Sequence, residues 1–158
     1  MMRVGLAMLQ GARHEHEEAI LSIAKDLEHN VEVVQLRKGE DIDASIHDLI
    51  LPGGESTTMR IASRSEGLLD SLYSWMEAHP NRPVLGTCAG AILLANPSDG
   101  RQPFIQAEIS RNAWGRQRQS FEADIDVEME RLETSGGSIQ RTPDVFGHTP
   151  LIVGEGNG

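Results

Sequence analysis

The feature that most constrains this chain is a rhythm. Short apolar runs, most of them closed by a glycine or proline turn, alternate with segments of helical periodicity as far as residue 95. Arg3 to Met8 has the composition of a buried strand, and Gln10-Gly11 turns it. From about His14 to Glu28, residues Ile20, Ile23, Ala24 and Leu27 recur at three- and four-residue spacing, which predicts a helix with one apolar face. Val31 to Leu36 is β-branched and reads as a second strand. Asp48 to Leu51 reads as a third, stopped by Pro52-Gly53-Gly54, after which Ser56 or Thr57 caps a helix carrying Met59 and Ile61. Leu68 to Ala78 predicts another helix, with Leu69, Leu72 and Trp75 toward the core. Pro83 to Gly86 is a fourth strand and Cys88 to Ala95 a short helix. Strands and helices in this alternation predict a single three-layer α/β domain over residues 1–158, with a mainly parallel sheet.

Beyond Asn96-Pro97-Ser98-Asp99-Gly100 the pattern changes. Phe104 to Ile109 and Phe121 to Val127 read as strands, with a polar, arginine-rich arm between them, and the stretch from Glu133 to Gly158 has little periodicity. No apolar run approaches the roughly 20 residues that span a bilayer, and the first residues are too short an apolar stretch for a secretory signal. Acidic residues outnumber basic ones by 24 to 14, a net charge of −10 that argues against binding a phosphate backbone. Neither a membrane nor a nucleic-acid partner is expected. The single cysteine, Cys88, excludes an intramolecular disulfide and a multi-cysteine zinc site, and a cytoplasmic setting follows as the expectation.

Two segments carry the chemistry. Gly86-Thr87-Cys88-Ala89-Gly90 stands between a predicted strand and a predicted helix, in the G-x-nucleophile-x-G form of a nucleophile elbow. Small flanking residues permit the sharp turn that lifts the side chain off the sheet. The helix start behind it favours a thiolate over the free thiol's pKa of about 8.5. The backbone N–H of Ala89 faces the place where an oxyanion would form. On this motif alone, Cys88 reads equally as a nucleophile or as a small buried hydrophobe. Pro52-Gly53-Gly54-Glu55-Ser56 ends another predicted parallel strand, at the edge where open α/β sheets bind ligands. Its glycines admit close backbone approach, Glu55 offers a partner for a cation and Ser56 a hydroxyl. Taken alone, the segment is a plain turn. Both motifs fall on one edge of one sheet.

So placed, the two loops resemble those of the class I glutamine amidotransferases, a flavodoxin-like α/β family. Finer motifs resemble one branch of it, the glutaminase subunits of pyridoxal 5′-phosphate synthase. They are Leu9-Gln10-Gly11-Ala12, Glu15-His16, Leu51 to Arg60, Gly86 to Gly90, Arg111-Asn112, Gly115-Arg116-Gln117 and Ser120-Phe121-Glu122-Ala123-Asp124. They occur in the family's order from residue 3 to about 127. The resemblance implies that Cys88 is the nucleophile that attacks the side-chain amide of L-glutamine. It implies that the backbone N–H groups of Gly54 and Ala89 hold the oxyanion, and that Gly54, Glu55, Ser56 and Arg111 bind the substrate. The chemistry agrees, because glutamine presents an ammonium and a carboxylate that suit one acid and one arginine. The implied partner is the synthase subunit that consumes the ammonia for vitamin B6 biosynthesis, in a hetero-oligomer. No cofactor and no metal are implied.

The family completes its catalytic triad with a His-Pro-Glu segment on a late strand. The 158 residues contain no match to it, and where the family has an Ile-Arg pair this chain has Gly147-His148. Of the histidines, His14 and His16 open a helix, His29 ends one, His47 precedes a strand, His79 sits in a turn, and His148 is the one in the last segment. The expectation is a domain lacking the family's last strands, with little or no glutaminase turnover, because a cysteine without its base is only partly ionised and the leaving ammonia lacks a proton donor. The alternative is a non-catalytic homologue that keeps the fold and the partner surface.

Overall fold

Alternating burial builds the sheet. In a computed structural model, which describes residues 1–11, 13–97 and 100–107 together with the backbone of 134–135 and 138–139, four strands form a parallel sheet in the order β2-β1-β3-β4. They are β1 (Met2–Ala7), β2 (Val31–Leu36), β3 (Asp48–Leu51) and β4 (Val84–Gly86). The register pairs Val4 with Val33 and Asp48, and Ile50 with Leu85. Successive side chains leave a strand on opposite faces. Leu49, Leu51, Val84, Leu36 and Ala7 therefore join one apolar cluster, and Val4, Leu6, Ile50, Val33 and Leu85 join another.

The first face carries the main core. Against it pack α2 (Ser56–Ser63), α3 (Leu68–Ala78) and α4 (Ala89–Ala95), which contribute Met59, Leu68, Leu72, Tyr73, Met76, Leu93 and Leu94, each at most 1% exposed. The second face is covered by α1 (Arg13–Asp26), whose half-buried Ile20 meets the Val4, Leu6 and Ile50 cluster. The layers are thus helix, sheet, helix, as expected. A short antiparallel pair, β5 (Thr134–Ser135) and β6 (Ser138–Ile139), stands apart from this sheet.

Three local expectations are corrected. The apolar stripe of α1 is only partly used: Ala24 is buried, whereas Ile23 and Leu27 are 58% and 59% exposed. Ile61 on α2 likewise faces outward, and Met59 alone anchors that helix's apolar side. Phe104 to Ala107 is irregular rather than extended; Phe104 is held by its N–H to the Leu94 carbonyl at 2.9 Å and by stacking on Tyr73 at 5.5 Å. Residues 108–109, the expected strand at Phe121 to Val127, Arg111 and His148 lie outside the described residues.

Candidate functional site

The chain leaves β1 for β2 on one side and later returns to place β3 on the other. This makes the C-terminal ends of β1 and β3 a topological switch point, where loops diverge and open a crevice. Gln10-Gly11 follows β1 there, and Pro52-Gly53-Gly54 follows β3. The two loops touch closely. Gly11 has φ +78°, and a Cβ on it would come within 2.6 Å of the Gly53 carbonyl carbon and nearer still to its oxygen. Gly54 has φ +149°, with Gln10 Oε1 2.9 Å from where its Cβ would be. Gln10 Oε1 accepts the Glu55 N–H at 2.9 Å and so ties the first loop to the second.

β4 ends beside them. Thr87 donates its N–H to the Leu51 carbonyl at 3.0 Å, which carries the β3–β4 pairing one residue past the strand. Cys88 then takes φ 49°, ψ −116°, a backbone that costs a residue with a side chain on the order of 1–3 kcal/mol. The chain enters α4 at Ala89, which is buried, and the Gly90 N–H closes back on the Thr87 carbonyl at 2.8 Å. A Cβ at Gly90 would lie 2.7 Å from the Leu51 carbonyl carbon and closer to its oxygen, so only glycine lets α4 start this close to β3. Gly53 faces the elbow. Its hypothetical Cβ would stand 3.2 Å from Cys88 Cβ and 3.7 Å from Sγ. The thiol is partly exposed and in no disulfide, and the glycine loop forms its wall.

Glu55 is placed differently from a free acid. It is the N-cap of α2, with its carboxylate accepting from Thr57 N at 2.9 Å, Thr58 N at 2.7 Å and Thr58 Oγ1 at 2.7 Å. Hydrogen bonds from the Thr58 hydroxyl and the two backbone N–H groups favour the charged form and lower its pKa to about 2. Ser56, expected as a cap, is instead the first helical residue and 5% exposed. The structure thus brings Gly53, Gly54, Cys88 and Ala89 to one edge, with Glu55 and Ser56 opening the adjacent helix.

Histidines take other work. His47 Nδ1 accepts the Arg3 N–H at 3.1 Å, His79 Nδ1 lies 2.9 Å from the Trp75 carbonyl, and His16 Nε2 lies 3.0 Å from Thr87 Oγ1. Among the described residues no imidazole bonds the Cys88 sulfur. Gln10, Gly53 and His16 gained no individual role from the sequence. Their signal was position, since each lies in a glycine turn after a strand or just beyond one. Two clefts lie elsewhere, one of about 430 Å³ beside Trp75 and His79 and one of about 500 Å³ beside Arg13 and Arg37, and neither includes Cys88.

Comparison with known proteins decides the family, because residues 6–152 match the SNO glutamine amidotransferase family. The chain belongs to the SNO glutamine amidotransferase family. It is 41% identical over 133 residues to the pyridoxal 5′-phosphate synthase subunit PdxT of Pyrobaculum neutrophilum, covering 78% of this chain and 64% of that protein. To the PdxT subunit of Methanothermobacter thermautotrophicus it is 36% identical over 159 residues, covering 99% of this chain and 76% of the relative. A crystal structure of a glutamine amidotransferase superposes with a TM-score of 0.58 at 38% identity, over 77% of this chain and 62% of that one. The chain therefore spans just under two thirds of the Pyrobaculum relative's length. Among the described residues no SNO-family helix here is long and apolar enough to cross a membrane.

Proposed function

We propose that this chain is the glutaminase subunit of a pyridoxal 5′-phosphate synthase. Its substrate is L-glutamine, and its product ammonia passes to a synthase subunit in a hetero-oligomer. The observation that carries the reading is the strained Cys88 elbow standing against the Gly53 wall at the switch point of the sheet.

In this scheme the Cys88 thiolate attacks the side-chain amide carbon, and the carbonyl electrons move onto oxygen. The N–H groups of Gly54 and Ala89 face that oxyanion, where fixed donors stabilise charge that develops only in the transition state. The C–N bond breaks, the nitrogen takes a proton and leaves as ammonia, and a glutamyl thioester remains. Water attacks the thioester, releasing glutamate and the thiol. Both steps pass through the same oxyanion position, so one pair of donors serves both. Proton transfer falls to the histidine of the family's His-Pro-Glu segment, which these 158 residues do not match. Glu55 and Arg111 complete the reading as partners of the substrate's ammonium and carboxylate. Glu55 Oε1, which accepts from Thr57 N, keeps acceptor capacity for an ammonium, whereas Oε2 already accepts from both Thr58 N and Thr58 Oγ1. A cytoplasmic setting, which keeps a lone thiol reduced, suits this chemistry.

Ammonia release from glutamine, measured with the synthase subunit present, tests the proposal. In a version extended by a His-Pro-Glu-bearing segment, which supplies the base, Cys88→Ala is expected to reduce release to background, a loss of about 10³-fold or more where a nucleophile is removed. Release unchanged by Cys88→Ala would overturn it.

A further inference from the structure

His16 stands in the second turn of α1, half-buried, with Nε2 3.0 Å from the hydroxyl oxygen of Thr87. These residues are 71 positions apart, and Thr87 immediately precedes Cys88. The backbone of Thr87 is already engaged on both sides: its N–H donates to Leu51, and its carbonyl accepts from Gly90. The imidazole fixes what remains, the rotation of the side chain. Cys88 needs such restraint, because a non-glycine residue at φ 49° keeps that conformation only where its surroundings over-determine it. The other restraints come from the β3 loop and α4, whose apolar residues belong to the main core. His16 reaches the elbow from α1, the helix on the opposite face of the sheet. Its Nε2 is engaged with the Thr87 hydroxyl, so it acts on the sulfur through the neighbouring residue.

We infer that His16 is a positioning residue for Cys88, tying α1 to the elbow through Thr87 so that the thiol stays presented. The inference takes the thiol's purpose from the glutaminase reading, yet its geometry is read without glutamine. The experiment is the rate of Cys88 alkylation by iodoacetamide in the full chain, by intact mass, with thermal melts to establish that each variant is folded. His16→Ala and Thr87→Val are each expected to slow alkylation by about tenfold, the scale of one lost hydrogen bond at a strained site. The double variant is expected to be no slower than either single one. His16→Gln, whose Nε2 can occupy the imidazole nitrogen's place, is expected to recover most of the rate. If His16→Ala does not fold, the near-isosteric Thr87→Val decides the matter alone. Folded variants within about twofold of the parent rate, or losses that multiply in the double variant, would overturn the inference. Ammonia release with the synthase subunit is assayed in parallel. A version extended by a His-Pro-Glu-bearing segment that labels as expected but releases no ammonia would defeat the glutaminase reading and leave the positioning role intact.

Discussion

At the scale of single residues, the turn at Cys88 and the cap at Glu55 set the local geometry of the edge. Glycine, threonine, alanine and glycine around Cys88 leave little but a sharp turn between an apolar strand and an apolar helix, and the structure supplies it with φ 49° at the thiol. Ser56 and Thr57 look like better caps than the acid before them. Glu55 nevertheless takes that place, because its carboxylate spans both Thr57 and Thr58, whereas a serine hydroxyl serves one N–H. The consequence is a dependence on pH. A carboxylate whose folded pKa lies below its unfolded value stabilises the fold above the unfolded pKa and loses that contribution as pH falls through the folded one. Glu55→Gln is therefore expected to lower the melting temperature at neutral pH. The difference from the parent should shrink as pH falls from about 4.5 toward about 2. Melting curves across that range provide the check, and a difference that stays constant would contradict the assignment of the cap.

At the scale of elements, the four parallel strands fall within a residue or so of their expected places, since each apolar run is bounded by residues that cannot continue a strand. The helices were legible in span but less so in facing. Periodicity reports that α1 has an apolar side; it does not report how much sheet lies beneath it, and Ile23 and Leu27 remain outside the contact. Phe104 misled for a similar reason. An aromatic in an apolar run suggests a strand, whereas here the half-buried ring stacks on Tyr73 from an irregular segment. The tightest junction between elements is α4 on β3, where Gly90 meets the Leu51 carbonyl. Gly90→Ala places a methyl group against backbone that is paired in the sheet and cannot move freely. It is expected to cost about 2–3 kcal/mol, in the range for overpacking. Chemical denaturation gives the value, and a midpoint equal to the parent's would show that the junction has slack the geometry does not suggest.

At the scale of the whole molecule, function follows from strand order. Placing β1 between β2 and β3 brings the Gln10-Gly11 turn against the Gly53-Gly54 turn, and placing β4 beside β3 brings Cys88 against Gly53. None of these contacts is local in sequence. The convergence was nevertheless foreseeable, because loops after parallel strands must share the carboxyl edge of the sheet. What the sequence could not order was the detail: which glycine faces the sulfur, and that the link from α1 runs through His16 and Thr87. The central claim is that this edge is a glutamine site built around a reactive thiol. Alkylation of Cys88 followed by intact mass, with and without saturating glutamine, tests it most directly, because occupancy is read at the proposed nucleophile itself. Protection by glutamine and none by an equal concentration of alanine, which shares the ammonium and carboxylate but lacks the amide arm, is the predicted result. Equal labelling with and without glutamine would contradict it.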